Sequence, residues 1–224
     1  PDIAPREKIG RVSGYGWSFG YVGGLLALAI CFVLFVQPEV PAFGFSTELG
    51  ENIRATNLFI AIWFAIFSIP TFIYLKDRKR DTWKEVSIKK SYRELLITFK
   101  EIKKYKEILR FLIARMLYND AMITIFFFGG IYAKQTFGFT FNEIMIFGIV
   151  LNVAAGLGAF SFGFLDDFIG AKRTIQISNF FIFISIMIAV LAQSSLWIWV
   201  SGIILGIFSG PNQSASRSLI GHII

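Results

Sequence analysis

Six apolar runs set the terms on which this chain can fold: residues from about 12 to 36, 55 to 75, 109 to 133, 144 to 165, 174 to 192 and 196 to 215. Each has roughly the 17 to 25 residues that a tilted helix needs to cross a bilayer. Inside lipid every backbone N–H and C=O must find a partner within the protein, which leaves helices or closed barrels. A barrel would show segments of ~10 residues with alternating polarity, and a stretch such as FFIFISIMIAVLA, residues 180–192, has none. The expected fold class is therefore all-α, a polytopic transmembrane helix bundle with six spanning helices. A hydrophobic content of 55%, an aromatic content of 17% and a mean hydropathy of +0.63 agree with it.

The distribution of charge gives the topology, because cationic connections resist translocation. Arg6, Lys8, Arg11, the thirteen basic residues from Lys76 to Arg110, Lys172, Arg173 and Arg217 all fall on one side, nineteen of the 22 Lys and Arg. Only Arg54 and Lys134 fall on the other, and Arg115 lies within a span. The N-terminal segment, the middle segment, the 163–173 hairpin and the C-terminal end are thus expected on the cytoplasmic side. Residues 76–110 alone carry a net charge of +7, the charge of the whole chain. Between two spans such a tract suits topology and lipid headgroups better than nucleic acid, and no nucleic-acid partner is expected. Leu95, Phe99, Ile102 and Leu109 recur there at helical spacing among lysines, the pattern either of a helix lying on the inner membrane surface or of a solvated connecting helix.

Three sets of residues stand out against this apolar background. The run from 109 to 133 holds Arg115, Asn119 and Asp120, with Asp120 near the bilayer midplane, where a lipid-facing charge costs several kcal/mol. Asp120 suits a proton or a cationic group and Arg115 a carboxylate; the alternative is a structural partnership with a neighbouring helix. Asn152, mid-span in the next run, joins them as a candidate lining residue. In the first run, Gly16, Gly20, Gly23 and Gly24 make a small-residue stripe suited to helix packing. In the last, Pro211 is positioned to break the helix beside Asn212, Gln213 and Ser214.

Enzyme classes find no support. One histidine, His222, and one cysteine, Cys31, exclude a His- or Cys-based metal site and an internal disulfide. No nucleophile–base set or nucleotide fingerprint can be assembled, so no catalytic residue, metal or cofactor is expected. The chain begins with Pro1, ends on GHII and opens with no signal peptide, the pattern expected of an internal piece of a longer polypeptide.

The hairpin GFLDDFIGAKR, residues 163–173, resembles the cytoplasmic loop signature of the major facilitator superfamily, G-x-L-a-D-R-x-G-R-K. Gly163, Leu165, Asp167, Gly170 and Lys172 fall on its positions, while Phe168 and Ala171 replace two basic residues. The Gly16–Gly24 run resembles the superfamily's fifth-helix glycine motif, with Tyr21 in place of its proline. Together with RVSGYGWSFGYVGG, ARMLYNDAMITIFFFGGIYA and QSASRSLIGHII, these motifs make the chain similar to the vacuole-effluxer branch, whose fungal autophagy-related members export amino acids from the vacuole. That resemblance implies a partial major facilitator fold covering helices five to ten of twelve. Residues 1–75 would be the last two helices of the N-terminal half, 76–108 the central cytoplasmic loop, and 109–224 the first four helices of the C-terminal half.

The resemblance implies a multi-pass transporter of a small polar metabolite, perched in a bacterial inner membrane or, in a fungus, a vacuolar one, with amino-acid efflux as its suggested activity and a proton or ion as coupling partner. The competing expectation is a non-transporting scaffold or receptor that recruits partners or anionic lipid through its basic loop. Under the first, Asp120, Arg115, Asn119 and Asn152 form the substrate or proton site. Gly163, Asp167, Gly170, Lys172, Arg173 and Arg217 form a gating loop, in which Asp167 meets both the start of the first span and Arg217, with Asp166 the less consequential neighbour.

Overall fold

The computed structural model describes residues 5–38, 40–74, 92–93, 96–97 and 106–223. Six long helices account for the apolar runs: α1 (Ile9–Cys31, continued by a π-helical turn at Phe32–Val36), α2 (Glu51–Tyr74), α3 (Lys106–Phe137), α4 (Phe141–Ile169), α5 (Ala171–Leu191) and α6 (Ser195–Ile223). All six are long and apolar enough to cross a membrane, and no strand occurs among the described residues. The protein is an all-α, multi-pass membrane protein. Leu95, Phe99 and Ile102 lie outside the described residues, so the surface-helix expectation for that stretch does too.

The chain divides into two compact units, residues 1–37 with 122–224, and residues 38–121. In the second unit α2 carries Phe59, Trp63 and Phe67 along one face, their ring centroids 5.7 and 4.6 Å apart. Its start is organised by Glu51, whose carboxylate accepts the Ser46 amide at 3.0 Å.

In the first unit α4 and α6 form the central pair, with α1 against both and α5 against α6. Lipid gives no hydrophobic reward for bringing two apolar helices together, so small residues and polar contacts decide where they meet. Gly202, Gly206 and Gly210 recur every fourth residue on α6 and face α4. A Cβ at Gly206 would come within 2.7 Å of the Leu151 carbonyl, and one at Gly210 would overlap the Ala155 carbonyl. From the other side, Gly158 leaves no room for a Cβ against the Ile207 carbonyl. The α5–α6 pair is joined by hydroxyls instead: Ser185 donates to the Ser201 carbonyl at 2.8 Å and Ser201 to the Ser185 carbonyl at 2.9 Å. Closer to the other end of this pair, the Asn212 amide donates to Asn179 Oδ1 at 2.7 Å.

Two expectations change. Pro211 does not break α6, which runs through it to Ile223. A proline removes the bond to the carbonyl four residues back, here that of Ile207, and this freed oxygen lies against Gly158, where a Cα–H can act as a weak donor. The predicted stripe is not where the described helices meet, since nothing lies within 4 Å of a Cβ at Gly16, Gly20, Gly23 or Gly24. Gly10 and Gly14, one to two turns earlier, make the close approach of α1.

The bundle has two dissimilar ends. At one, Phe139, Phe147 and Trp199 pack with centroids 5.2 to 6.1 Å apart over Met122, Leu151, Ile182, Ile198 and Leu205. The other end gathers the start of α1, the α4–α5 hairpin and the last turns of α6, with Ile9 beside Gly221. These segments were expected to share one side from their charge alone.

A glycine that faces a backbone carbonyl cannot be enlarged by a side-chain adjustment. Gly158→Ala should destabilise the protein by about 1–3 kcal/mol despite the ~1 kcal/mol helix-propensity gain of alanine. Gly16→Ala, which meets open space, should be neutral or slightly stabilising. Thermal unfolding of the two variants in detergent distinguishes these outcomes.

Candidate gating hairpin and midspan polar residues

Helix α1 begins without a local cap. Lys8 occupies the N-cap position and supplies no side-chain hydrogen bond, and the first turn holds no acidic residue. The leading amides of a helix are left without internal partners and carry the positive end of its dipole. Here the cap comes from another helix: Asp167 Oδ1, near the end of α4, accepts the Arg11 amide at 3.1 Å. The second oxygen, Oδ2, lies 3.3 Å from Arg11 Nε, and the Asp167 side chain is only 8% exposed. One carboxylate therefore both caps α1 and pairs with a side chain of its first turn.

Close approach makes this possible. A Cβ at Gly10 would fall 2.5 Å from Asp166 Oδ2 and 2.7 Å from Asp167 Oδ1, so the absence of a side chain admits both carboxylates to the start of α1. Further along, a Cβ at Gly14 would meet the Ala159 carbonyl at 2.6 Å and the Cα of Gly163 at 2.9 Å. Arg11 is held from a third direction by Phe164, its guanidinium carbon 4.7 Å from the ring centroid, a cation–π contact. Tyr15 continues this face, 5.3 Å from Phe160 and 5.8 Å from Phe164. Higher on α1, Tyr21 packs over Gly156, where a Cβ would sit 3.3 Å from its own Cβ. Ser13 ties α1 to α6 by donating to the Ser214 carbonyl at 2.8 Å.

The other motif positions divide by role. Gly170 joins α4 to α5 alone, with φ 89° and ψ 146°, a conformation that essentially only glycine adopts. Its carbonyl then accepts the Arg173 and Thr174 amides at 3.1 and 3.2 Å and starts α5. Lys172 and Arg173 are exposed beside this turn. They line an open pocket of about 580 Å³ together with Glu7, Asp166, Asp167 and Leu219.

Two of the expected relations at the hairpin are not observed. Asp167 reaches the start of α1, but Arg217 does not join it: Ser214, Ala215, Ser216 and Ser218 are buried on α6, and Arg217 is left on the exposed side of that helix. Asp166 is not the lesser neighbour in burial. At 4% exposure it is the one charged residue in the buried set among the described residues, and it faces Gly10. An inward-facing signal was present in its position, since residues 159, 163 and 166 recur at helical spacing on one face of α4.

The midspan residues fall in different units. Arg115, Asn119 and Asp120 lie on the part of α3 within residues 38–121, with Asp120 exposed and the other two half-buried. Asn152, in the other unit, donates to the Gly148 carbonyl of its own helix at 2.8 Å.

Known proteins share this arrangement of sequence. A family model described as "Vacuole effluxer Atg22 like" matches residues 3–224. YxiO of Bacillus subtilis, named as an uncharacterized MFS-type transporter, is 22% identical over 100% of this chain and 51% of its own length. Autophagy-related protein 22 of Coccidioides immitis is 23% identical over 96% of the chain and 38% of its own length. The counterpart in Yarrowia lipolytica is 24% identical over 86% and 34%. The chain thus spans about half or less of the curated relatives it matches. No solved structure matches it.

If Asp167 caps α1, Asp167→Ala should speed hydrogen exchange in the segment 9–14 by about fivefold, corresponding to the ~1 kcal/mol that an N-cap contributes. The segment 180–190 of α5 should exchange unchanged. The motifs, the spanning helices and the match over residues 3–224 converge on one assignment: the chain belongs to the Atg22-like vacuole effluxer family of membrane proteins.

Proposed function

We propose that this chain is the central part of a secondary transporter that moves a small polar metabolite across the membrane by alternating access, with amino-acid export as its activity. The observation that carries the reading is the cap of α1 by Asp167. Taken as helices five to ten of twelve, α1 and α2 close the first half of the transporter and α3–α6 open the second, joined by the loop 76–108. The α1–α4 seam is then a contact between halves, and Asp167 with Arg11 is the latch that holds them together at the cytoplasmic side. Family membership supports a transporter, as does similarity to a protein named an MFS-type transporter.

A latch must hold and release. One charge-assisted amide bond and one partly exposed ion pair contribute about 1–3 kcal/mol together, a scale that differential substrate binding can offset. Gly10, Gly14 and Gly163 present backbone surfaces that part without disentangling long side chains. Asp120, Arg115 and Asn119 on α3 and, separately, Asn152 on α4 serve as substrate- or proton-handling groups, because an ionisable group near the midplane marks a pathway. The full-length protein sits in a bacterial inner membrane, in line with its similarity to YxiO across the whole chain.

Reconstituted full-length protein tests the reading. Counterflow of radiolabelled amino acids into proteoliposomes should fall by about tenfold or more in Asp120→Asn and in Arg115→Ala, the loss of a charged hydrogen bond of about 1.5–3 kcal/mol. Unchanged uptake in both variants would remove these residues from the mechanism, and no counterflow of any amino acid by the wild type would remove the substrate assignment.

A further inference from the structure

One face of α1 carries three hydrogen-bond donors, and the middle one is unanswered. Ser13, Trp17 and Tyr21 recur every fourth residue and therefore share that face. Ser13 donates to the Ser214 carbonyl of α6 at 2.8 Å. The Tyr21 hydroxyl is hydrogen-bonded to Ser209, also on α6. Ser209 commits its own proton to the Gly206 carbonyl at 2.9 Å, which leaves Tyr21 as the donor of that pair. Between these two ties, Trp17 Nε1 is buried and has no hydrogen-bond partner. The rings of Trp17 and Tyr21 lie with centroids 6.1 Å apart.

An indole N–H can only donate, and a donor buried without an acceptor costs its full desolvation. Trp17 stands eight residues after Ile9, the first residue of α1, and so about 12 Å along a spanning helix. No bulk water relieves the cost at that depth. A phenylalanine would fill nearly the same space without it, so the N–H calls for a reason other than packing. Because the atom is already covered, no acceptor from outside the structure reaches it in this arrangement. Its acceptor arrives when α1 and α6 separate, and the same motion frees the hydroxyls of Ser13 and Tyr21.

We infer that Trp17, with Ser13 and Tyr21 on either side, binds an uncharged carbonyl oxygen of the transported metabolite once α1 parts from α6, so that amino acids with a side-chain amide are its preferred cargo. The inference rests on the alternating-access reading above and names the substrate class. Arg11 is the one charged residue of α1, and Asp167 and Phe164 already hold its guanidinium. A carboxylate drawn into so neutral a setting loses more hydration than uncharged donors return, whereas an amide oxygen is matched by them. The NH2 of the same amide finds acceptors in the Ser214 carbonyl and Ser209 Oγ, which the parting of the helices leaves free. The cargo thus takes over the bonds that tied α1 to α6, and supplies the one that Trp17 lacked.

Counterflow of radiolabelled glutamine and leucine into proteoliposomes of the full-length protein is measured against unlabelled glutamine and its isostere glutamate. Glutamine should compete about tenfold better than glutamate, and Trp17→Phe should raise the half-maximal glutamine concentration about tenfold while keeping the maximal rate. In detergent without substrate, Trp17→Phe should unfold at the wild-type temperature or above it, because it removes a donor that had no acceptor. Ser13→Ala and Tyr21→Phe, which break existing bonds, should unfold at a lower one. Equal competition by glutamine and glutamate, an unchanged half-maximal concentration in Trp17→Phe, or a lower unfolding temperature for that variant would overturn the inference. Exchange of leucine with none of glutamine would overturn it alone and leave the transport reading standing. Exchange of no amino acid by the wild type would overturn that reading, and the inference with it.

Discussion

A helix that starts without a cap of its own must borrow one, and the contact between Asp167 and the Arg11 amide is where that need is met. Everything around it follows from getting a carboxylate to that amide. Gly10 clears the space for both carboxylates, Gly163 and Gly14 let the two backbones come together, and Gly170 turns the chain immediately after α4 so that α5 does not obstruct the approach. Arg11 then serves twice, through its amide and through a side chain gripped between Asp167 and the ring of Phe164. At low dielectric such a set is worth more than its parts, and an unmade member costs more than it would in water.

The same economy of size governs the rest of the first unit. Lipid competes equally for every leucine, so α4 and α6 meet through glycine, alanine and backbone oxygen, and α5 joins α6 through serine and asparagine. The aromatic core around Phe139, Phe147 and Trp199 holds one end by packed area. Charge and capping hold the other. The end built from bulky interlocking rings is suited to remain closed, and the end built from glycine surfaces and one carboxylate is suited to part.

The number of helices and their class were legible because run length in a bilayer is a nearly sufficient signal, and Gly163, Asp167 and Gly170 were legible because their spacing matched a known loop. Which face of each helix meets which neighbour was not. In a lipid-embedded helix all faces are apolar, so periodicity does not distinguish Gly16 and Gly20, which meet open space, from Gly10 and Gly14, which meet α4. The four-residue spacing of Gly202, Gly206 and Gly210 was visible in the sequence and identifies the face of α6 on which α4 packs. The partner of Asp167 was half legible: a nearby helix start was correct, but Arg217 is turned outward by one step of the helix relative to the buried Ser218. Asp120 and Arg115 owe their candidacy to chemistry at depth, which sequence supplies directly.

Under the proposed alternating-access mechanism, Asp167 holds α1 against α4 at the end of the bundle that opens. Spin labels at Lys8, the N-cap of α1, and at Gln176 in the second turn of α5, which follows α4 directly through Gly170, report the separation of α1 from the α4–α5 hairpin by double electron–electron resonance in proteoliposomes of the full-length protein, with its native cysteines, Cys31 among them, replaced by serine. The wild type should give a short, narrow distance distribution, and Asp167→Ala should transfer a substantial population to a longer distance. The same narrow distribution in both proteins would mean that the carboxylate caps α1 without governing the opening, and would contradict the claim.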